Sequence, residues 1–553
     1  MTRMAFLVAA ALAAAGAARA QVTSPVVSPP QILGALVGPA ANKVQPDLAF
    51  FGTDLGWTVL HQGELRILFG DTDSTFDHVC HGQLHNDDSE GALPLARPAT
   101  GVPGVTFQTD PNDPNALQHL FVYRNGESLQ MGYGQVPVSA YSDGRSLVGI
   151  MGRGGTIRCT PGAATPIAAC RGSLDDHPVM ANWATADGLR CTQTLGECVP
   201  APNDIPTACI LATGVGCNAF LGETCQPTPN GLCADPTSSQ NDGTPSSEVY
   251  TAGNEMEFAS EDPNARGQYT SRATLRTNKF INTTARTVRR FTYLPIGNDY
   301  APGNGALLVW GRPGFAAEQG RQAQIYLMVH ALPIETASNG RWLFHPYFYS
   351  GTDPNGLPYW SARQQDAQPL ALDGLVGGSP REEQPLVNQF TVSWVGGRIN
   401  KWVMLYAGNI GDYLLLDPAH DRPGAGPGSV RIRFADHPWG PWTPAQPHLL
   451  EGTASQIGSP LGPGGVLFSP SCVSQPGLLC APSDLVRPID FYVAGCPHVG
   501  MTFDQGFFYG SNIIDAYHRS DGAGGMNVFW NVSTWNPYGV LFLKTNLKPP
   551  PAP

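Results

Sequence analysis

Gly52-Thr53-Asp54-Leu55-Gly56-Trp57-Thr58-Val59-Leu60-His61-Gln62-Gly63-Glu64-Leu65-Arg66-Ile67-Leu68-Phe69-Gly70-Asp71-Thr72-Asp73 reads as two strands joined by a turn. Apolar side chains recur at every second position on both sides of Gln62-Gly63, the pattern of a tight hairpin. If Gln62-Gly63 is a two-residue turn, His61 pairs with Glu64 and Asp54 lies across from Asp71. If the turn is a three-residue loop with a bulge at Gly63, Leu60 pairs with Glu64 and the two aspartates are offset by one position. The second register gives the cleaner alternation. It places Leu55, Trp57, Val59, Leu65, Ile67 and Phe69 on one face, with Thr58, Glu64 and Arg66 on the other, and is slightly favoured. Both registers keep the two carboxylates within one rung, at the same end of the hairpin.

Similar strand–turn–strand units recur outward from this one, at residues 138–151, 291–310, 390–406 and 507–543. Gly (64) and Pro (51) are abundant and charged residues are only 14% of the chain, so turns outnumber helix formers. Short strands with no long helical period mean a sandwich, barrel or propeller, and the length suits a propeller of four or five blades. Residues 1–20 have the form of a signal peptide: Arg3, an apolar run at 6–15, and the small-x-small site Ala18-Arg19-Ala20. A soluble mature chain, secreted or periplasmic, is expected from Gln21. Residues 21–45 read as a Pro-rich extended arm, 46–155 and 241–548 as the propeller, and 549–553 as a tail.

Residues 156–240 interrupt the propeller with eight of the twelve cysteines and little strand alternation, and read as a disulfide-stapled insertion. No C-x-x-C pair occurs in this run, which argues against zinc. The net charge of −12 excludes nucleic acid and anionic membranes as partners on average, and fits an uncharged substrate. No second segment is apolar for long enough to anchor the chain in a membrane, and a monomer is expected.

Two neighbouring carboxylates, Asp54 and Asp71, are what glycoside hydrolysis requires: one protonated acid and one ionised nucleophile or base. Trp57, Asp73, Arg312, Trp360, Gln389, Tyr509 and Trp535 are the residues expected to contact substrate, the aromatic rings by stacking on sugar C–H surfaces. No cofactor is required by this chemistry. The acidic run Asp71, Asp73, Asp77, Asp87, Asp88 and Glu90 has oxygen donors for Ca²⁺, but without the spacing of a calcium loop it reads first as solvated. There is no HExxH and no G-x-S-x-G, which disfavours a metalloprotease or an α/β-type serine hydrolase.

Gly52–Gly56, Leu68–Thr72, Trp402-Val403-Met404-Leu405-Tyr406, Pro438-Trp439-Gly440-Pro441-Trp442 and Ser533-Thr534-Trp535-Asn536-Pro537-Tyr538 resemble, in order, motifs of the DUF4185 family. The likeness spans most of residues 46–545 outside the insertion. That family includes endo-D-arabinanases, so the resemblance implies an all-β five-bladed propeller cutting a furanose-rich polysaccharide, with Asp54 and Asp71 at the two acidic positions implicated in catalysis. One departure stands out. Asn388-Gln389 occupies the place where the resemblance leads one to expect Gly-Glu, and an amide cannot exchange protons at neutral pH.

Overall fold

The computed structural model describes residues 22–37, 45, 48, 52–72, 87–96, 101–124, 127–130, 136–160, 169–173, 195–199, 208–210, 224–227, 248–277, 279–280, 282–289, 291–293, 305–312, 325–372, 389–406, 430–449, 507–535 and 539–550. Five sheets, antiparallel except where Phe121–Arg124 joins Ala265–Arg276 in parallel, radiate from five inner strands: Leu55–His61, Pro137–Ser142, Asn282–Val288, Phe390–Val395 and Phe507–Ile513. Each inner strand lies beside the next, and Phe507–Ile513 lies beside Leu55–His61, so the ring is closed. The fold is an all-β five-bladed propeller, the blades being numbered below in that order.

Both faces of each blade are buried, which explains why strands such as Ala306–Arg312 are buried at every position. Alternate side chains serve different neighbours. Leu307 and Val309 join the core shared with blades one and two, whereas Leu308 and Trp310 join the core shared with blade four. Leu65, Ile67 and Phe69 of blade one likewise pack against Phe529, Val540 and Phe542 of blade five. The core is therefore a set of wedges between blades.

Residues 26–37, read from the sequence as an extended arm, are strands. Val26–Val27 and Gln31–Val37 both pair with the C-terminal strand Gly539–Lys548 and complete blade five. Blade two carries an extension: Leu147–Thr160 and Glu248–Asp262 remain paired well past Pro137, the start of the inner strand. They lead into the cysteine-rich stretch, where Leu195–Val199, Ala208–Ile210 and Thr224–Pro227 form a small separate sheet. The disulfide expectation concerns side chains outside the described residues. Among the described residues no helix is long and apolar enough to cross a membrane.

Candidate functional site

The hairpin that opens blade one settles its register in two steps. Gln62 (φ +47°) and Gly63 (φ +84°) form a two-residue turn, His61 pairs with Glu64, and the pairing runs unbroken to Trp57 opposite Leu68. The favoured three-residue loop is thus corrected, because positive φ at both turn positions matches the strand twist. A shift between Leu55 and Trp57 then offsets the ladder by one, so that Leu55 pairs with Phe69. Asp54 consequently faces Gly70, whose N–H donates to the Asp54 carbonyl oxygen at 3.2 Å. Asp71 is one position beyond, on the strand Glu64–Thr72; its side chain is outside the described residues.

The bulge puts a leucine in the left-handed region (Leu55, φ +62°), followed by Gly56 at φ +93°. A non-glycine residue there costs of order 1 kcal/mol. Three polar side chains from blade five hold it. Ser533 Oγ accepts from Leu55 N at 2.7 Å, Asn512 Nδ2 donates to the Leu55 carbonyl at 3.1 Å, and Asn531 Nδ2 donates to the Gly56 carbonyl at 2.8 Å. They replace ladder bonds that the bulge forfeits. The strained turn aims Asp54, the preceding residue.

Asp54 is 8% exposed, and Tyr509 Oη donates to its Oδ2 at 3.0 Å. Its Oδ1 lies against Gly70, where an added Cβ would collide with that oxygen and with Leu55. The strand end bearing Asp71 is fixed from below by a row of buried hydroxyls, Thr53 to Thr72 at 2.7 Å and Thr72 to Ser89 at 2.8 Å, beside the Gly70 carbonyl. Gly70→Ala is therefore expected to displace Asp54. Misplacing a reacting group by about 1 Å costs roughly 10²-fold in rate, so activity should fall that far while circular dichroism and melting stay near wild type. Unchanged activity in a folded Gly70→Ala protein would separate Asp54 from the chemistry.

The first residues of the other inner strands share this end of the ring. Asn282 of blade three pairs with Arg312, and both are buried. Gln389, 6% exposed, precedes Phe390 in blade four, whose partner is Tyr406. A Cβ on Gly510 (φ +57°) would lie 2.7 Å from Gln389 Oε1, so Gln389 and the Tyr509–Asp54 pair are contiguous. Trp535 pairs with Phe507 at the same end, though its side chain and all of Asp73 lie outside the described residues.

Asp54, Tyr509, Gln389 and Arg312 thus gather at one mouth of the ring. Two expected contacts do not. Trp57 is 2% exposed, sunk in the core between blades one and two, and offers no face to a ligand. Trp360 sits on the outermost strand of blade three, Pro358–Ser361, packed edge-on to Phe291 and Tyr349 with Nε1 donating to the Tyr293 carbonyl at 2.7 Å. Two mouth residues escaped the sequence reading. Glu257, fully buried, faces Met151 at this end of blade two; its alternation with Met256 and Phe258 was a faint signal. Asn282 carried none. Of the acidic run weighed for calcium, the side chains of Asp71, Asp73, Asp77 and Asp87 also lie outside the described residues, whereas Asp88 and Glu90 are buried rather than solvated and Glu90 pairs with Arg66.

No family model and no curated protein sequence matches this chain. The likeness to the DUF4185 family accordingly rests on its short motifs alone. Several solved structures align with this chain along most of its length. An α-L-arabinofuranosidase from Podospora anserina, solved with cellotriose, aligns over 95% of this chain and 98% of its own at 10% identity and a TM-score of 0.27. A thermostable family-43 glycoside hydrolase aligns over 92% of each chain at 8% identity and 0.27. A GH62 hydrolase solved with xylotriose covers 94% of this chain and 97% of its own at 10% and 0.24. At these values the likeness is one of fold and carries no argument about activity.

Proposed function

We propose that this chain is a glycoside hydrolase that acts outside the cytoplasm on an uncharged, furanose-rich polysaccharide, with Asp54 and Asp71 as its pair of carboxylates. The observation that carries the proposal is the placement of Asp54: a buried carboxylate at the mouth of a five-bladed ring, aimed by a strained bulge that three side chains of another blade hold in place. Strain kept at one position by so many supporting contacts is a mark of a working site.

Asp54 accepts the Tyr509 hydroxyl and so takes the part of the ionised carboxylate, nucleophile or base, while Asp71 protonates the leaving oxygen. The resemblance to DUF4185 proteins supports the same two positions and suggests arabinan. Asp54→Asn and Asp71→Asn, made separately and assayed on arabinan by released reducing ends, test this. Full activity in both removes the pair from the mechanism. The second reading is a sugar-binding propeller without turnover. Gln389 favours it, since an amide at the mouth can bind a hydroxyl but cannot move a proton at neutral pH. Saturable binding with no product over a long incubation would select it.

A further inference from the structure

We infer that Asn282 and Gln389 form a carboxamide pair at the mouth that binds the hydroxyl groups of an uncharged sugar. The inference rests on the sugar-cleaving reading and assigns the binding half of that site. Asn282 is fully buried, and both of its amide atoms lack a hydrogen-bond partner among the described residues. Since both ends are unmet, turning the amide over changes nothing. Gln389 is nearly as buried, and its Oε1 also lacks a partner among the described residues. Buried amides are almost always satisfied, because an orphaned one lowers stability; two at one mouth call for an explanation.

Their heights match. The inner strands of blades three and four run in the same direction side by side, with Val392 N donating to Thr284 Oγ1 at 3.4 Å and Arg286 Nη2 to Thr391 Oγ1 at 3.2 Å. Asn282 lies two residues before Thr284 and Gln389 three before Val392, so both sit at the heads of their strands, within one residue of a common level. Gly510 matters here. Having no side chain, it lets Gln389 Oε1 pack directly against it, together with Leu55 and Ser533, beside Tyr509 and Asp54.

A carboxamide offers a donor and an acceptor side by side and carries no charge, so it suits neighbouring hydroxyls, one accepting and one donating. A sugar carboxylate would call for a cation instead, and Arg312, cross-strand from Asn282, is already engaged by the protein itself. Sites that hydrogen-bond a hydroxyl also discriminate strongly against analogues lacking it, because the protein's own polar groups are then left unmet.

The test is calorimetric titration of a short arabinofuranosyl oligosaccharide, with xylo- and galacturonate oligosaccharides for comparison, into the wild type, Asp54→Asn, Asn282→Leu and Gln389→Leu proteins. The neutral oligosaccharide is expected to bind the wild type and Asp54→Asn alike, and Asn282→Leu at least about tenfold more weakly. In the absence of sugar, Asn282→Leu should melt at the wild-type temperature or higher, because it removes an unmet amide. A lower melting temperature with unchanged affinity would make Asn282 structural and overturn the inference. So would a wild type that binds neither neutral sugar, or that prefers galacturonate. Should Asn282→Leu fail to fold, Gln389→Leu carries the same expectation on affinity and the same failure. Cleavage that persists in Asp54→Asn overturns the catalytic reading alone and leaves the binding comparison standing.

Discussion

Asp54→Asn is expected to lower the rate of the proposed arabinan cleavage by about 10³-fold or more, with little change in KM or in the melting temperature. The magnitude is that of losing a positioned acid, base or nucleophile. Asparagine keeps the shape of aspartate, so the contact with Gly70 survives and the amide oxygen can still accept from Tyr509. Only the charge and the capacity to bond or take a proton disappear. A loss confined to kcat marks an interaction made in the transition state, whereas a loss confined to KM would assign Asp54 to ground-state binding. Steady-state kinetics on soluble arabinan separate the two. A variant retaining half the wild-type kcat would end the catalytic role.

The largest stability effect belongs to the interface between blades one and two. Arg66, 3% exposed at its side chain, pairs with Glu90 and, at 2.8 Å, with Glu261; Tyr269 Oη donates to Glu90 Oε2 at 2.9 Å. One guanidinium thus faces two buried carboxyl groups. Burial first, and then the charge of Glu261, push Glu90 up to about 7, so Glu90 holds its proton more tightly folded than unfolded. The stability this gives is complete below about pH 4.5 and is lost as pH rises through 7, a span of roughly 3 kcal/mol at most. Arg66→Met removes the cation that compensates this pair among the described residues and is expected to cost about 3–5 kcal/mol at pH 8. The cost should be much smaller at pH 5, where Glu90 is neutral. Urea titrations of wild type and variant at both values measure it. An equal cost at the two pH values would show that Arg66 acts through packing rather than charge.

Much of this architecture could be read from residue patterns, because propeller strands are local. Strand–turn–strand units such as Phe390–Val395 and Lys401–Tyr406 announce themselves through Gly-rich turns and apolar runs. What escaped depends on partners far along the chain. Nothing in residues 31–37 signals pairing with residues 540–544, and a Pro-rich segment reads as unpaired until its neighbour is known. The same holds at the mouth. The alternation of the hairpin located Asp54, but the offset that turns it toward Gly70 comes from Ser533, Asn512 and Asn531, in the last blade. Trp57 was misjudged for a related reason: a tryptophan next to an acidic pair looks like a sugar platform until blade two covers it.

The pairing of Gln31–Val37 with Gly539–Lys548 has a consequence for how the molecule is made. Gln31–Val37 is synthesised long before its partner, so blade five stays incomplete until Gly539–Lys548 appears. Contacts of such long sequence separation form slowly. A copy missing Gly539–Lys548 has nothing for Gln31–Val37 to join, and blade five lacks its outer strands. Synthesis as far as residue 548 is therefore checked by the geometry itself: blade five latches only once that strand exists.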